Sequence, residues 1–193
     1  MFNIPIKTSS GSAYVPIDTW LLSEGKLFIQ DEINEDMACE FIQKLMYLRK
    51  DKPDGRIKIY VNSRGGDVNS GMLIYDAIKS LKGQVDIICT GMAASMGAVI
   101  LAGGQKGRRY ILPHSKIMIH EPLIAGGMGG SATSIKKTAD SILETKAITN
   151  GILAKHTGKT VEEIDAATSF DNFMNAEEAV KFGICDEIRD VFL

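Results

Sequence analysis

The chain has 193 residues, with 22 Lys and Arg against 24 Asp and Glu and a formal net charge of -2. That balance excludes a protein that binds nucleic acid by neutralising phosphates, and 45% hydrophobic residues exclude a disordered chain. No apolar run reaches the roughly 18–20 residues of a membrane span; the longest, Ala93–Leu101, is about half that length.

The length predicts one compact domain, residues 1–193, with enough chain to bury a core. Met1–Ser12 is polar and broken by Pro5, without a basic n-region or apolar h-region, which predicts a cytoplasmic protein with no membrane contact. Cys39, Cys89 and Cys185 are odd in number and form no C-x-x-C pair, so reduced, buried thiols are expected.

Glycine and proline divide the rest into alternating pieces. Leu27–Ile29 reads as a strand. Asn34 is placed to cap a helix that opens on Glu35 and Asp36, with Met37, Phe41, Ile42, Leu45, Met46 and Leu48 on its apolar face. Pro53-Asp54-Gly55 is a turn. The alternation Ile57, Ile59, Val61 predicts a strand that runs into a loop, Asn62–Gly66. Met72–Leu81 suits a helix closed by Gly83.

Val85–Thr90 is the next strand, turned by Gly91. Ala93–Leu101, small and apolar all round, predicts a buried helix. Tyr110–Leu112 and Lys116–His120 read as strands. A loop with Gly126, Gly127, Gly129 and Gly130 precedes a long helix from about Ser131 to Lys155, with Ile135, Ala139, Ile142, Leu143, Ala147, Ile148 and Leu153 as its stripe. Thr160-Val161-Glu162-Glu163 has the form of a capping box. Asn175–Glu178 opens a short helix that Gly183 closes, and Ile184–Ile188 returns as a strand. Such an order predicts an α/β fold with a substantially parallel sheet, whose sites lie where strands end at their carboxyl termini. Ser63–Asp67, Gly91–Gly97 and His120–Leu123 are therefore the segments to watch.

Several motifs fail. Gly158-Lys159-Thr160 lacks the earlier glycine of a P-loop, because position 153 is Leu153. Gly127–Ala132 matches a loose G-x-G-x-x-A but precedes a long helix with no prompt second strand. Ser95 is not in G-x-S-x-G, since Ala93 stands two residues before it. Three scattered histidines and no H-E-x-x-H give no metal cluster.

A serine hydrolase needs an activated serine, a base, an orienting carboxylate and N–H donors for the oxyanion. Ser95 follows a strand and opens a small-residue helix, whose N-terminus supplies free N–H groups; a helix cap would explain it equally well. Of the histidines, His156 lies near a helix C-terminus where a cation suits the dipole, His114 sits in a turn, and His120 ends a strand at the ligand-facing rim. His120 is the best placed base, although a structural histidine fits the same position. Asp171, between Phe170 and Phe173, needs a partner if buried; a surface loop or cap is the plainer reading.

Taken together, Asn62-Ser63-x-Gly65-Gly66, Gly91–Ala98 and Met118–Leu123 resemble the proteolytic-subunit family of the Clp proteases, which are serine peptidases. The likeness runs from about Leu27 to Ile188. It implies a ClpP/crotonase-like fold of repeated ββα units, with residues 1–26 as an N-terminal segment and residues 124–158 as a protruding handle. It implies a triad of Ser95, His120 and Asp171, an oxyanion hole from the N–H groups of Gly66 and Met96, and a peptide paired as an added strand along Gly66, Asp67, Val68 and Leu123. No cofactor or metal is implied: ATP is used by a hexameric AAA+ unfoldase that feeds unfolded polypeptides to two stacked seven-membered rings of this subunit. Arg64, Asn172 and Glu121 depart from the family, which more often has Pro, Arg and Gln there. Glu121, if close, would raise the pKa of His120. An inactive ring subunit and an acyl-CoA enzyme of the crotonase group are the competing readings.

Overall fold

A computed structural model describes residues 2–9, 11–81, 85–124, 126 and 129–190. Its main sheet has seven strands, and five run in the order β3 (Lys26–Ile33), β4 (Ile57–Gly66), β5 (Val85–Ala94), β6 (Arg109–Ile111), β9 (Glu187–Ile188) with parallel neighbours throughout. β7 (Lys116–Ile119) also runs parallel to β5, and β8 (Asn172–Met174) pairs antiparallel with β7. The mixed α/β architecture and the mostly parallel sheet agree with the sequence pattern.

The period of two in the strand sequences sets both faces of the sheet. Ile59 and Val61 of β4, with Ile87 and Cys89 of β5, are fully buried in the main core. Tyr60, Ile88 and Tyr110 point the other way and form a smaller cluster, where Phe28 stacks on Tyr60 with centroids 5.2 Å apart. Each fully buried Ile or Leu contributes about 1.5–3 kcal/mol relative to an exposed one.

Helices cover the core face. α2 (Glu35–Asp51) is capped by Asn34, whose side chain accepts the Met37 N–H, and it buries Ala38, Phe41, Leu45 and Leu48. Met46, expected on that face, is instead exposed. α3 (Val68–Lys79) is capped by Asp67. Gly83, the expected end of that helix, lies outside the described residues, as do Gly127 and Met128. α4 (Met96–Ala102) is buried along its whole length because every residue is small or apolar. α5 (Ala132–Thr157) starts at the Ser131 cap and ends at Gly158 in the left-handed region. α6 (Val161–Thr168) and α7 (Ala176–Phe182) both open on capping boxes, at Thr160/Glu163 and Asn175/Glu178.

The predicted stripe of α5 splits in two. Leu153 and Ala154 join the core, whereas Ile135, Leu143 and Ile148 stay exposed. Among the described residues no helix is long and apolar enough to cross a membrane.

Other expectations need correcting. Asn62–Gly66 is not a loop: β4 continues through it, because β3 supplies partners as far as Ile33 opposite Gly66. Gly91 is not a turn, and Ala93 and Ala94 are strand rather than helix, since β7 pairs with Met92–Ala94. The segment before Leu27 is ordered into a hairpin, β1 (Asn3–Thr8) and β2 (Gly11–Pro16), followed by α1 (Ile17–Ser23). Cys89 and Cys185 are free and buried as expected, but Cys39 is exposed.

Candidate active site

The strand register brings three distant residues together. β5 pairs with β6 over Ile87–Cys89 and then with β7 over Met92–Ala94, with Ala94 opposite Met118. Ser95, one residue beyond β5, donates its N–H to Met118 O at 2.8 Å. His120 follows β7 directly. On the far side of β7, Ile119 is opposite Asn172, which sets Asp171 beside His120.

The side chains meet accordingly. His120 Nε2 lies 2.9 Å from Ser95 Oγ, and His120 Nδ1 lies 3.3 Å from Asp171 Oδ1. The second distance is ion-pair range, longer than an ordinary N–H···O bond. His120 is nearly enclosed, with 16% of its side chain exposed against 62% for Asp171. If Nδ1 carries the proton toward Asp171, Nε2 is free to accept the serine O–H, the arrangement a general base requires. Asp171 is thus a surface carboxylate; its neighbours Phe170 and Phe173 are exposed and do not bury it.

Ser95 sits at φ 52° and ψ -122°, in the positive-φ region that L-residues seldom occupy. Such a conformation costs about 1–3 kcal/mol and is held only by its surroundings. A strand enters and a helix leaves at this residue, so Oγ stands at the apex. The serine lies on a sharp strand-to-helix turn even though its flanks are not G-x-S-x-G. It is the first residue outside α4 yet makes no side-chain capping bond, which leaves Oγ to His120.

Glycines make room around it. A Cβ on Gly65 would fall 2.7 Å from Ser95 Cβ and 3.1 Å from Met96 N. Gly65 and Gly66 have φ 91° and 150°, and a Cβ on Gly66 would meet Ile33 O at 2.2 Å. The Met96 N–H opens α4 and has no partner within that helix. Gly66 ends β4 at the exposed rim.

The remaining expected site residues are placed as follows. Asp67 caps α3: its Oδ1 accepts the Ser70 N–H at 2.8 Å and the Ser70 hydroxyl at 2.7 Å, and these bonds hold its pKa below the usual carboxylate value. Its own N–H donates to Ile33 O at 2.8 Å. Val68 lines a small apolar recess with Met96, Val99, Ile119, Pro122 and Leu153, into which Ser95 and His120 also open. Leu123 is 66% exposed on the segment after His120.

Other candidates stay apart. His156 is not a cation at the α5 terminus. It is half-buried with Nε2 2.8 Å from the Tyr75 hydroxyl, and burial, then Lys79, Lys155 and Arg109, push its pKa down to about 4. Burial pushes the Cys89 thiol up to about 11 and raises Cys185 further, which suits inert structural thiols. Among the described residues no group of three or more His, Cys, Asp or Glu could hold a metal ion.

Sequence reasoning passed over Gly65, whose approach to Ser95 exceeds that of Gly66, although its place two residues after Ser63 at the strand end was visible. It also passed over Lys146 and Asp165: Lys146 pairs with both Asp165 and Glu121, the residue after His120. The only sequence signal for those two was their opposite charge to each other.

Compared with known protein families, the chain matches the family model described as Clp protease over residues 9–191.

Proposed function

The chain belongs to the Clp protease family, and from that premise we propose that it is the serine endopeptidase core of an ATP-dependent proteolytic particle. The family supplies peptidase activity in ATP-dependent proteolysis. The assignment of residues rests on one observation above all: Ser95 Oγ lies 2.9 Å from His120 Nε2, with Asp171 on the opposite ring nitrogen.

In this reading His120 takes the Ser95 proton as Oγ attacks the scissile carbonyl, then delivers it to the leaving amine. Asp171 fixes the imidazole tautomer and stabilises the imidazolium. The N–H groups of Met96 and Gly66 receive the developing oxyanion. Water enters, His120 activates it, and the acyl-enzyme hydrolyses. Turning the serine outward at positive φ favours this role over that of a simple cap.

The substrate is an unfolded polypeptide bound as an added strand. Alternate peptide groups of a strand face opposite edges. The Asp67 N–H is already used by Ile33 O, so Gly66 and Val68 on one side and Leu123 on the other are the segments a peptide would join. Main-chain pairing makes the site tolerant of sequence.

The subunit assembles into two stacked seven-membered rings served by a hexameric AAA+ unfoldase, which is the ATP-using partner; this chain uses no cofactor. The exposed Ile135, Leu143 and Ile148 of α5, together with Phe170 and Phe173, support an oligomer in which these side chains are covered. Residues 124–158 then form the handle between rings, within a single peptidase domain of a cytoplasmic protein.

Purified protein should hydrolyse a short fluorogenic peptide without ATP, and Ser95→Ala should not. Hydrolysis that survives Ser95→Ala would overturn the assignment.

A further inference from the structure

Glu121 follows His120 directly, and its carboxylate is committed elsewhere. Lys146 Nζ lies 2.8 Å from Glu121 Oε2 and 2.8 Å from Asp165 Oδ1. One ammonium on α5 therefore joins the segment after β7 to α6. Backbone and buried polar groups run alongside it. The Glu121 N–H donates to Thr168 O at 2.7 Å, and Asn150 Nδ2 donates to Asp165 Oδ1 at 3.1 Å. The Thr168 hydroxyl reaches Asn150 Oδ1 at 3.4 Å. Asn150 and Thr168 are 3% and 0% exposed.

This bridge stands between the two residues that must agree in position. His120 is the immediate neighbour of Glu121. Asp171 lies shortly after Thr168, and the turn between them is pinned where Asn172 Nδ2 donates to Ala167 O at 3.1 Å. Exposed ion pairs contribute little stability, about 0–1 kcal/mol, and the Lys146 pairs are partly exposed. Their value here is positional. Both carboxylates touch the same Nζ, so without it two negative groups face each other at close range and repel. That repulsion acts between the segment carrying His120 and the helix leading to Asp171. Displacements near 1 Å can cost about 10²-fold in rate.

We infer that Lys146 is a positioning residue for the reaction, a clamp that neutralises Glu121 and Asp165 together and so holds His120 and Asp171 in register. The inference rests on the reading of Ser95, His120 and Asp171 as the reacting set. It also gives Glu121 a partner other than His120: the hydrogen bonds that Lys146 donates to Asp165 and Glu121 raise its pKa, keeping the ammonium charged.

The test compares wild type, Lys146→Met and Lys146→Arg as assembled particles of equal mass. Peptide hydrolysis is measured per titrated Ser95, alongside the limiting rate of Ser95 phosphonylation by a fluorophosphonate. Lys146→Met should lower kcat and the limiting phosphonylation rate together, each about tenfold, with KM within about twofold. Lys146→Arg, which keeps the charge and can reach both carboxylates, should restore both rates to within about twofold. Values for Lys146→Met within about twofold of wild type, or no recovery with Arg in an assembled particle, would overturn the clamp. Glu121→Gln/Asp165→Asn, which removes the repulsion, should recover much of the Lys146→Met loss in the triple variant; no recovery there would also count against it. A wild type without Ser95-dependent hydrolysis would instead remove the functional reading itself, and the clamp with it.

Discussion

Gly65 and Ser95 approach so closely that a Cβ on the glycine would lie 2.7 Å from the serine Cβ. The same Cβ would meet Ala94 O at 2.7 Å, and the glycine φ of 91° is one that side chains resist. Glycine accepts that φ without strain, so Gly65 leaves room beside the one strained L-residue, Ser95, where any other residue would collide.

Gly65→Ala should therefore lower peptide hydrolysis by about 10²-fold or more through misplacement of Ser95 and Met96, together with a clear fall in Tm. Parallel kinetics and thermal melts check this. Near-normal turnover would show that the turn yields without consequence.

Asp171 poses a different question, because 62% of its side chain is exposed while His120 is nearly enclosed. In the proposed triad water would share the task of stabilising the imidazolium, so Asp171→Asn should cost less than Ser95→Ala. We expect a loss of about 10²–10⁴-fold in kcat for Asp171→Asn, mainly through the wrong imidazole tautomer. Steady-state kinetics decide it; equal losses for both variants would mean that Asp171 is shielded from water in the working protein.

His156 carries a pH signature unrelated to the reaction. Its pKa falls from 6.5 to about 4 through burial first, then Lys79, Lys155 and Arg109. The unfolded chain therefore binds the proton more readily than the folded one. The stability linked to this group is complete above pH 6.5 and is lost as pH falls toward about 4. Below that, the lowered carboxylates Asp67 and Asp186 continue the loss. Denaturant melts of His156→Gln should show lower stability at pH 7 but a flatter decline between pH 6.5 and 4.5 than wild type. Parallel declines would assign the acid sensitivity elsewhere.

Much of this was written in the sequence where local chemistry decides. Asn34, Thr160 and Asn175 marked helix starts because a side-chain acceptor two or three residues ahead of free N–H groups is a local fact. Ser95 and His120 stood at strand ends in an α/β pattern, and the resemblance singled them out with Asp171. What the sequence did not carry was register. That β5 passes its edge from β6 to β7 depends on long-range pairing, so Gly91 and Ala93–Ala94 read as turn and helix when they are strand. The positive φ of Ser95 and the approach of Gly65 follow from that pairing. The N-terminal hairpin was missed because its strands alternate weakly and bury little. Lys146 was missed because an ion pair across three elements leaves no spacing signal.

The central claim is that Ser95 is a nucleophile activated by His120. The most direct measurement is mass-resolved labelling of the purified protein by a fluorophosphonate. One adduct per chain, mapped to Ser95, should form on wild type, be absent from Ser95→Ala, and form at least about 10²-fold more slowly on His120→Ala. An adduct on another residue, or equal labelling of Ser95 with and without His120, would contradict the account.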